Sequence, residues 1–560
     1  MLGVLLVSIA LSSVVAQNGT EESLEVKITQ GTVRGYKKIG SDVFVFYGIP
    51  YATAPTGRQK FMPPLSPPQW AGIFEATDKD IICIQPFRPY SQENCLIANV
   101  YVPDTERTNL PVVVIVHGGA FHLYYGSVQE PIDLVNSGKI IAVSFNYRLG
   151  AHGFLCLGTE EVPGNAGMKD QVAMLRWVQE NIAHFGGNPN DVTIMGCSAG
   201  GMSVDLLSIS PMAKGLFHKV IVNSGANVGP LSFQVDPLEN ARSYAKALGF
   251  DRVDDIDALE EFYKTVSYET LISRLDVIIE RTDSSVVFMP CVEADIGTER
   301  FLEDAPVNLL RRQNLTRYPM MYGYAEMEGL FNVNRFDDWK QRMNENFSEF
   351  LPADLQFETS QQREEVAARI KMFYFENEGV RDTSILAYLE YFKDIIFAHP
   401  ILRTIKLHWE YGDNPIYLYE YSFVDENTPY IPYTFLRGAN HCEQTVATFD
   451  QDTTNATEEY LAMKEIMREL HINFITLGVP VPEGSPLPAW PPINHKRSPH
   501  MSIGTSLQLL SSLNSRTASF LDSIYEQYYR IPIPPGASSA FQLMFSPFVI
   551  VLILIIQVLS

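Results

Sequence analysis

The chain has 560 residues, 46% of them apolar, which is ample for a large core and more than an average single domain needs. Its 65 acidic and 42 basic residues leave a formal charge of −23, which repels phosphate backbones and argues against nucleic acid as a partner. Six cysteines are too few for a disulfide scaffold but suffice for local staples in an oxidising compartment.

Residues 1–16 place an apolar run, Leu2 to Val15, over a small-residue cleavage site, Val14-Val15-Ala16, with a polar stretch from Gln17. This is the layout of a secretory signal peptide, here without a basic n-region. Cys83 and Cys95 enclose Ile84 to Asn94, and a disulfide closing that loop would stabilise by somewhat under about 3 kcal/mol. Pro111 to Val116 and Lys139 to Phe145 are unbroken apolar, β-branched runs, predicted as strands buried on both faces. Asn165 to Phe185 is predicted as a helix ended by the turn residues Gly186-Gly187-Asn188-Pro189. Val192 to Met195 follows as a short strand, then a turn at Gly196 to Gly200, a helix of small and apolar residues, and a strand at His218 to Ser224. This alternation predicts an α/β protein with a mostly parallel sheet and helices on its faces.

Beyond residue 230 the pattern weakens into charged helices and loops, with strand candidates at Pro319 to Tyr324 and Pro415 to Tyr421. A proline-rich passage, Val479 to Pro492, precedes an amphipathic stretch, Ser515 to Tyr529, whose Phe520, Leu521, Ile524 and Tyr525 share a helical face. No linker, charge block or internal repeat divides residues 17–535, which are expected to form one elaborated domain. Phe541 to Ser560 is apolar and long enough to span a bilayer, with the small residues Gly536-Ala537-Ser538-Ser539-Ala540 upstream. Residues 536–560 are therefore expected to be a GPI-attachment signal, a plain membrane anchor being the alternative. Sequons at Asn18, Asn314, Asn346 and Asn455 fit a glycosylated protein whose folded part faces outward, at the plasma membrane or secreted.

Two motifs carry chemistry. Gly196-Cys197-Ser198-Ala199-Gly200 lies between a predicted strand and a predicted helix and matches a nucleophile elbow, which thrusts the serine hydroxyl into the open. His117-Gly118-Gly119-Ala120-Phe121 follows an upstream strand and matches an oxyanion loop, whose backbone N–H groups stabilise developing negative charge. The 11 histidines show no ligand spacing with cysteine or carboxylate, so neither a metal nor an organic cofactor is implied.

Around these motifs stand Phe46-Tyr47-Gly48-Ile49-Pro50-Tyr51-Ala52, Glu93-Asn94-Cys95-Leu96 with Asn99-Val100-Tyr101, and Asn146-Tyr147-Arg148-Leu149-Gly150. Gly164-Asn165-Ala166-Gly167-Met168-Lys169-Asp170-Gln171 and Phe185-Gly186-Gly187-Asn188-Pro189 complete the set. In this order the blocks resemble those of the type B carboxylesterase and cholinesterase family, from Val26 to Ile531. The resemblance implies an α/β-hydrolase fold with helical insertions, and a serine hydrolase of carboxylic esters with its triad in the order serine, acid, histidine. Gly323-Tyr324-Ala325-Glu326-Met327-Glu328-Gly329 resembles the family's acid motif and Gly438-Ala439-Asn440-His441 its histidine motif. The implied triad is Ser198, Glu328 and His441, with Glu326 as the fallback acid and the N–H groups of Gly119, Ala120 and Ala199 as the oxyanion hole.

The chain departs from the family at the residue before the nucleophile, where Cys197 stands in place of the usual glutamate. The residue after the implied histidine is also a cysteine, Cys442. Since Ser198 and His441 have to approach within hydrogen-bond reach, their neighbours come within disulfide reach, and a Cys197 to Cys442 bond is the hypothesis, similar to an arrangement in tannases and fungal feruloyl esterases. Two buried free thiols are the alternative. Cys156 and Cys291 show no evident role. The loop between Cys83 and Cys95 has Phe87 and Tyr90 but no tryptophan, which makes choline esters a weak second choice. Ala120 replaces a glycine of the family, keeping the N–H and adding a methyl group. An esterase of small-molecule esters is thus set against a non-catalytic, neuroligin-like adhesion ectodomain, which retention of all three triad residues disfavours.

Overall fold

A computed structural model describes residues 22–536 apart from 275, 278–279, 377, 450–452, 512 and 514. The expected signal peptide, the sequon at Asn18 and the apolar C-terminal stretch lie outside the described residues.

Among the described residues thirteen strands form one sheet. They are β1 (Ser23–Ile28), β2 (Gly31–Lys37), β3 (Val43–Pro50), β4 (Ile73–Glu75), β5 (Ile97–Pro103), β6 (Leu110–Val116) and β7 (Ile141–Phe145). Then come β8 (Gly187–Cys197), β9 (Lys219–Asn223), β10 (Met320–Ala325), β11 (Ile416–Tyr421), β12 (His500–Ile503) and β13 (Leu507–Leu510). The order is β1-β2-β3-β5-β7-β6-β8-β9-β10-β11-β12-β13, with β4 paired to β2. From β7 through β12 every pairing is parallel, whereas β1-β2-β3-β5-β7 and β12-β13 pair antiparallel.

The central strands are apolar on both faces, as a sheet covered on two sides requires. Val112, Val114 and Val116 of β6 join one buried cluster, and Val113 and Ile115 join another across the sheet. Helices α1 (Ala166–Asn181) and α2 (Ala199–Ile209) follow the expected order. The turn expected at Gly186 to Pro189 is shorter than predicted. Gly186, at φ 85°, ends the preceding 3-10 turn, and β8 already begins at Gly187. Pro189 is tolerated there because the register with β6 shifts between Leu110 and Val112, where no ladder N–H is demanded.

The segments between β9 and β10 and between β10 and β11 are the insertions. The second includes α3 (Phe336–Glu345), α4 (Ile385–Lys393), a π-helical turn at Asp394–Ala398 and α5 (His399–Tyr411). Helix α6 (Ser515–Tyr528) packs as its apolar face predicts, burying Leu521, Ile524 and Tyr525, while Phe520 stacks on Phe373 with centroids 4.1 Å apart. Three disulfides join Cys83 to Cys95, Cys156 to Cys291 and Cys197 to Cys442. Cys156 and Cys291 therefore do have a role, tying the segment before α1 to the first insertion across 135 residues. The sequon residues Asn314, Asn346 and Asn455 are all exposed.

Candidate active site

The C-terminal ends of β6, β8 and β10 converge on one cavity of about 830 Å³, as expected for a parallel sheet whose strands all point their carboxyl ends the same way. Ser198 occupies the turn between β8 and α2 with φ 59° and ψ −129°, a backbone conformation costly for a residue with a side chain. Its N–H donates to the Asn223 carbonyl at 3.0 Å, and its own carbonyl accepts from Met202 N at 2.9 Å. Only small neighbours fit around this turn. A Cβ on Gly196 would lie 2.3 Å from the Gly200 carbonyl, and one on Gly200 would lie 2.1 Å from the Val116 oxygen.

After β6 the chain turns sharply beside the elbow. Gly119 (φ 105°) and Ala120 (φ 52°) line the cavity together with Ser198, and among the described residues neither N–H has a hydrogen-bond acceptor. Ala199 is the first residue of α2, whose N–H lacks an intrahelical partner. The turn is braced by side chains. His122 Nδ1 lies 2.7 Å from the Ala120 carbonyl, and burial holds this imidazole down to about 4, so it is neutral and Nδ1–H donates. Tyr147 stacks on His117 with centroids 4.4 Å apart and donates its hydroxyl to the His117 carbonyl at 3.0 Å.

Glu328 begins a 3-10 helix, Glu328–Arg335, directly after β10 and is fully buried. One carboxylate oxygen, Oε2, meets His441 Nδ1. The other, Oε1, accepts from Ala325 N at 2.8 Å and from the Ser224 hydroxyl, which in turn accepts from Gln444 Nε2 at 2.6 Å. Met327 N donates to the Ala439 carbonyl at 3.0 Å, so the acid and histidine loops are stitched backbone to backbone. Phe331 and Phe397 both pack against the His441 ring, at 5.2 and 4.5 Å, and against each other at 6.1 Å. Among the described residues Glu326, the fallback acid, has no hydrogen bond to His441, whose Nδ1 is taken by Glu328. Burial raises the Glu326 carboxyl, with Lys393 opposing and Glu390 reinforcing the shift.

Ser198 and His441 line the same cavity, but no hydrogen bond joins Oγ to Nε2, whose near neighbour is instead Cys442 Sγ at 3.7 Å. Such bonds commonly tighten only when substrate is bound. Cys197 and Cys442, joined by a disulfide with Cα atoms 6.2 Å apart, both line the cavity. Phe87 and Tyr90 are 81% and 91% exposed and are not among the residues that line the cavity, so the aromatics of that loop are not placed to meet a cation there. Among the described residues no group of three His, Cys, Asp or Glu side chains is placed to hold a metal ion.

The sequence points to Ser198, Glu328 and His441 but not to Ser224, Gln444 or His122, which brace the Glu328 carboxylate and the turn at Gly119 and Ala120. In the sequence Ser224 reads only as the end of a strand, and nothing in its neighbours marks it as a partner of Glu328.

The sequence profile of the Carboxylesterase family matches residues 22–521. The chain is 30% identical over 535 residues to Venom carboxylesterase-6 of Apis mellifera, covering 89% of this chain and 94% of that one. It is 30% identical over 460 residues to Neuroligin-2 of Mus musculus, but there covers only 54% of the relative. The crystal structure of juvenile hormone esterase from Manduca sexta, with OTFP covalently attached, superposes with a TM-score of 0.81 at 27% identity. That match covers 90% of this chain and 100% of the other.

Proposed function

The chain is a carboxylic-ester hydrolase of the carboxylesterase family, and on that premise we propose that Ser198 is its nucleophile, His441 its general base and Glu328 the acid that orients the histidine. The contact between Glu328 and His441 Nδ1 is the observation that carries this reading, because it leaves Nε2 as the basic nitrogen facing the cavity.

Ser198 Oγ attacks the acyl carbon while His441 Nε2 takes its proton. The carbonyl oxygen becomes an oxyanion held by the N–H groups of Gly119, Ala120 and Ala199, each donor contributing about 3 kcal/mol in the transition state. Collapse expels the alcohol, which receives the proton from His441. Water then attacks the acyl-enzyme by the same route and releases the acid. The acidic side of the triad is preset, since Glu328 is already anchored by two hydrogen bonds on the oxygen that the histidine does not use.

Hydrolysis of short and medium p-nitrophenyl esters by residues 17–535, beside Ser198→Ala, tests the assignment. Turnover in the wild-type protein falling by about 10⁴-fold or more in the variant is expected. Equal rates in both would remove Ser198 from the mechanism.

The disulfides and the esterase relatives support a protein of the secretory pathway. Among the described residues no helix is long and apolar enough to cross a membrane. Anchoring through residues 536–560 is part of the proposal, on the composition of that segment. Release of activity from expressing cells by a phosphatidylinositol-specific phospholipase C distinguishes a GPI anchor from a plain apolar tail.

A further inference from the structure

Of the three disulfides, the one beside Ser198 is the least buried. Cys83, Cys95, Cys156 and Cys291 are each 2% exposed or less. Cys442 is half-buried, and it lines the cavity together with Cys197. A thiol small enough to enter this volume of about 830 Å³ therefore has a sulfur within reach, and exchange at a disulfide depends on such access. The backbone of Cys442 lies in the left-handed region at φ 63°, a conformation that is costly for a residue with a side chain and clusters at working sites.

The second observation is a distance. Cys442 Sγ lies 3.7 Å from His441 Nε2, the nitrogen that has to take the proton of Ser198, and no hydrogen bond joins that nitrogen to Ser198 Oγ. Within the disulfide the sulfur has no proton to give. Glu328 holds the opposite nitrogen, Nδ1, so Nε2 presents its lone pair to any donor beside it. A reduced Cys442 is such a donor. A thiol next to an imidazole passes its proton across and forms a thiolate–imidazolium pair, so it ionises well below the roughly 8.5 of a free thiol. Glu328 stabilises the imidazolium from behind. The other ionisable groups around the cavity are His122, Tyr124, Arg281 and Arg335, and Glu443 follows Cys442 in the chain.

We propose that the Cys197 to Cys442 disulfide is a thiol-exchange site, attacked from the cavity by low-molecular-weight thiols, and that its reduction stops ester hydrolysis because Cys442 then captures His441. The proposal rests on the esterase reading of the same cavity. With a dithiol, one thiolate attacks Cys442 Sγ, the S–S bond breaks, and Cys197 leaves as a thiolate that takes a proton. The second thiol attacks the mixed disulfide and releases Cys442. The reagent departs as its cyclic disulfide, oxidised by two electrons, and the protein gains two electrons and two protons. One proton stays on Cys197 Sγ and the other on His441 Nε2, where it blocks the deprotonation of Ser198.

Dithiothreitol is titrated onto the folded protein, free thiols are mapped by maleimide labelling and mass spectrometry, and hydrolysis of p-nitrophenyl butyrate is followed alongside. Cys197 and Cys442 label before the other four cysteines, kcat falls about tenfold or more as they appear, and reoxidation restores it. In the reduced wild type, alkylation of Cys442 by iodoacetamide has its midpoint at least about one pH unit below that of a free thiol. A looser site would also lose activity, and two variants separate that effect from capture of the base. Both lack the disulfide, but C197A keeps the thiol beside His441 and C197A/C442S replaces it by a hydroxyl that does not ionise. The kcat of C197A is expected to be about tenfold or more below that of the double variant. Where the variants do not fold, the alkylation midpoint decides. Earlier labelling at another disulfide, an ordinary thiol midpoint, or equal kcat in the two variants overturns the proposal and leaves the esterase reading intact. No turnover by the oxidised wild type overturns the esterase reading and this proposal with it.

Discussion

Cys197 and Cys442, joined by a disulfide, stand immediately before Ser198 and immediately after His441. The bond therefore ties the turn that carries Ser198 covalently to the loop that carries His441. It spans 245 residues of sequence, so in the chain-entropy view it restricts the unfolded state strongly, by up to about 5 kcal/mol. The Cys197→Ala, Cys442→Ala double variant is expected to lose both thermal stability and kcat. Calorimetry and ester hydrolysis check this, and a variant with wild-type Tm and kcat would show that the bond contributes neither.

Glu328 and Glu326 lie two residues apart, yet only Glu328 reaches the histidine. Glu328→Gln keeps the shape of the side chain and removes its charge, so kcat is expected to fall by about 10³–10⁴-fold with the fold retained. Glu326→Gln is expected to stay within a few-fold of wild type. Steady-state kinetics on one p-nitrophenyl ester decides between the two carboxylates, and a larger loss at Glu326 would reverse their roles.

Ser224 hands the Gln444 amide on to Glu328, and removing its hydroxyl leaves Oε1 with the Ala325 N–H alone. One hydrogen bond to a charged group contributes about 1.5–3 kcal/mol, so Ser224→Ala is expected to lower kcat by roughly tenfold or more while KM changes little. A rise in KM at constant kcat would instead assign Ser224 to substrate binding.

Asp205 is fully buried, and burial pushes its carboxyl up to about 7 from an ordinary 3.8, against the hydrogen bonds from Tyr322 and the Asn227 N–H. Between those values the folded protein holds a proton that the unfolded chain has released. The contribution of Asp205 is therefore fully present below about 4 and is lost as pH rises through about 7. In the neutral form its O–H can donate to Tyr322, whose hydroxyl can turn toward Met320 Sδ, 3.8 Å away. The substitution Asp205→Asn supplies an amide that reproduces that pattern without titrating. The Tm advantage of this variant over wild type is expected to widen between pH 4 and pH 7 and then level off, and parallel Tm curves would refute a buried neutral carboxyl.

Much of the catalytic wall is legible in the residues themselves. Unbroken β-branched runs can only be strands covered on both faces, and the glycines around Ser198 are demanded by contacts as short as 2.1 Å to neighbouring backbone. Such constraints act over a few residues, so they leave a local pattern. The support beneath the site does not. Ser224 meets Glu328 across 104 residues and Gln444 across 220, and a hydrogen bond between distant polar side chains imposes no periodicity on either segment. The same holds for the Cys156 to Cys291 bond, which spans 135 residues. Glu328 is the first choice of acid from the motif and Glu326 the fallback, and it is the Glu328 carboxylate, at the start of the 3-10 turn after β10, that meets His441. The sequence by itself marked the strands β6 to β11, the turn at Ser198 and the glycine turn after β6, through local steric and hydrophobic rules. Tertiary structure decided what holds the Glu328 carboxylate in place, since Ser224 and Gln444 meet it only once segments far apart in the chain come together.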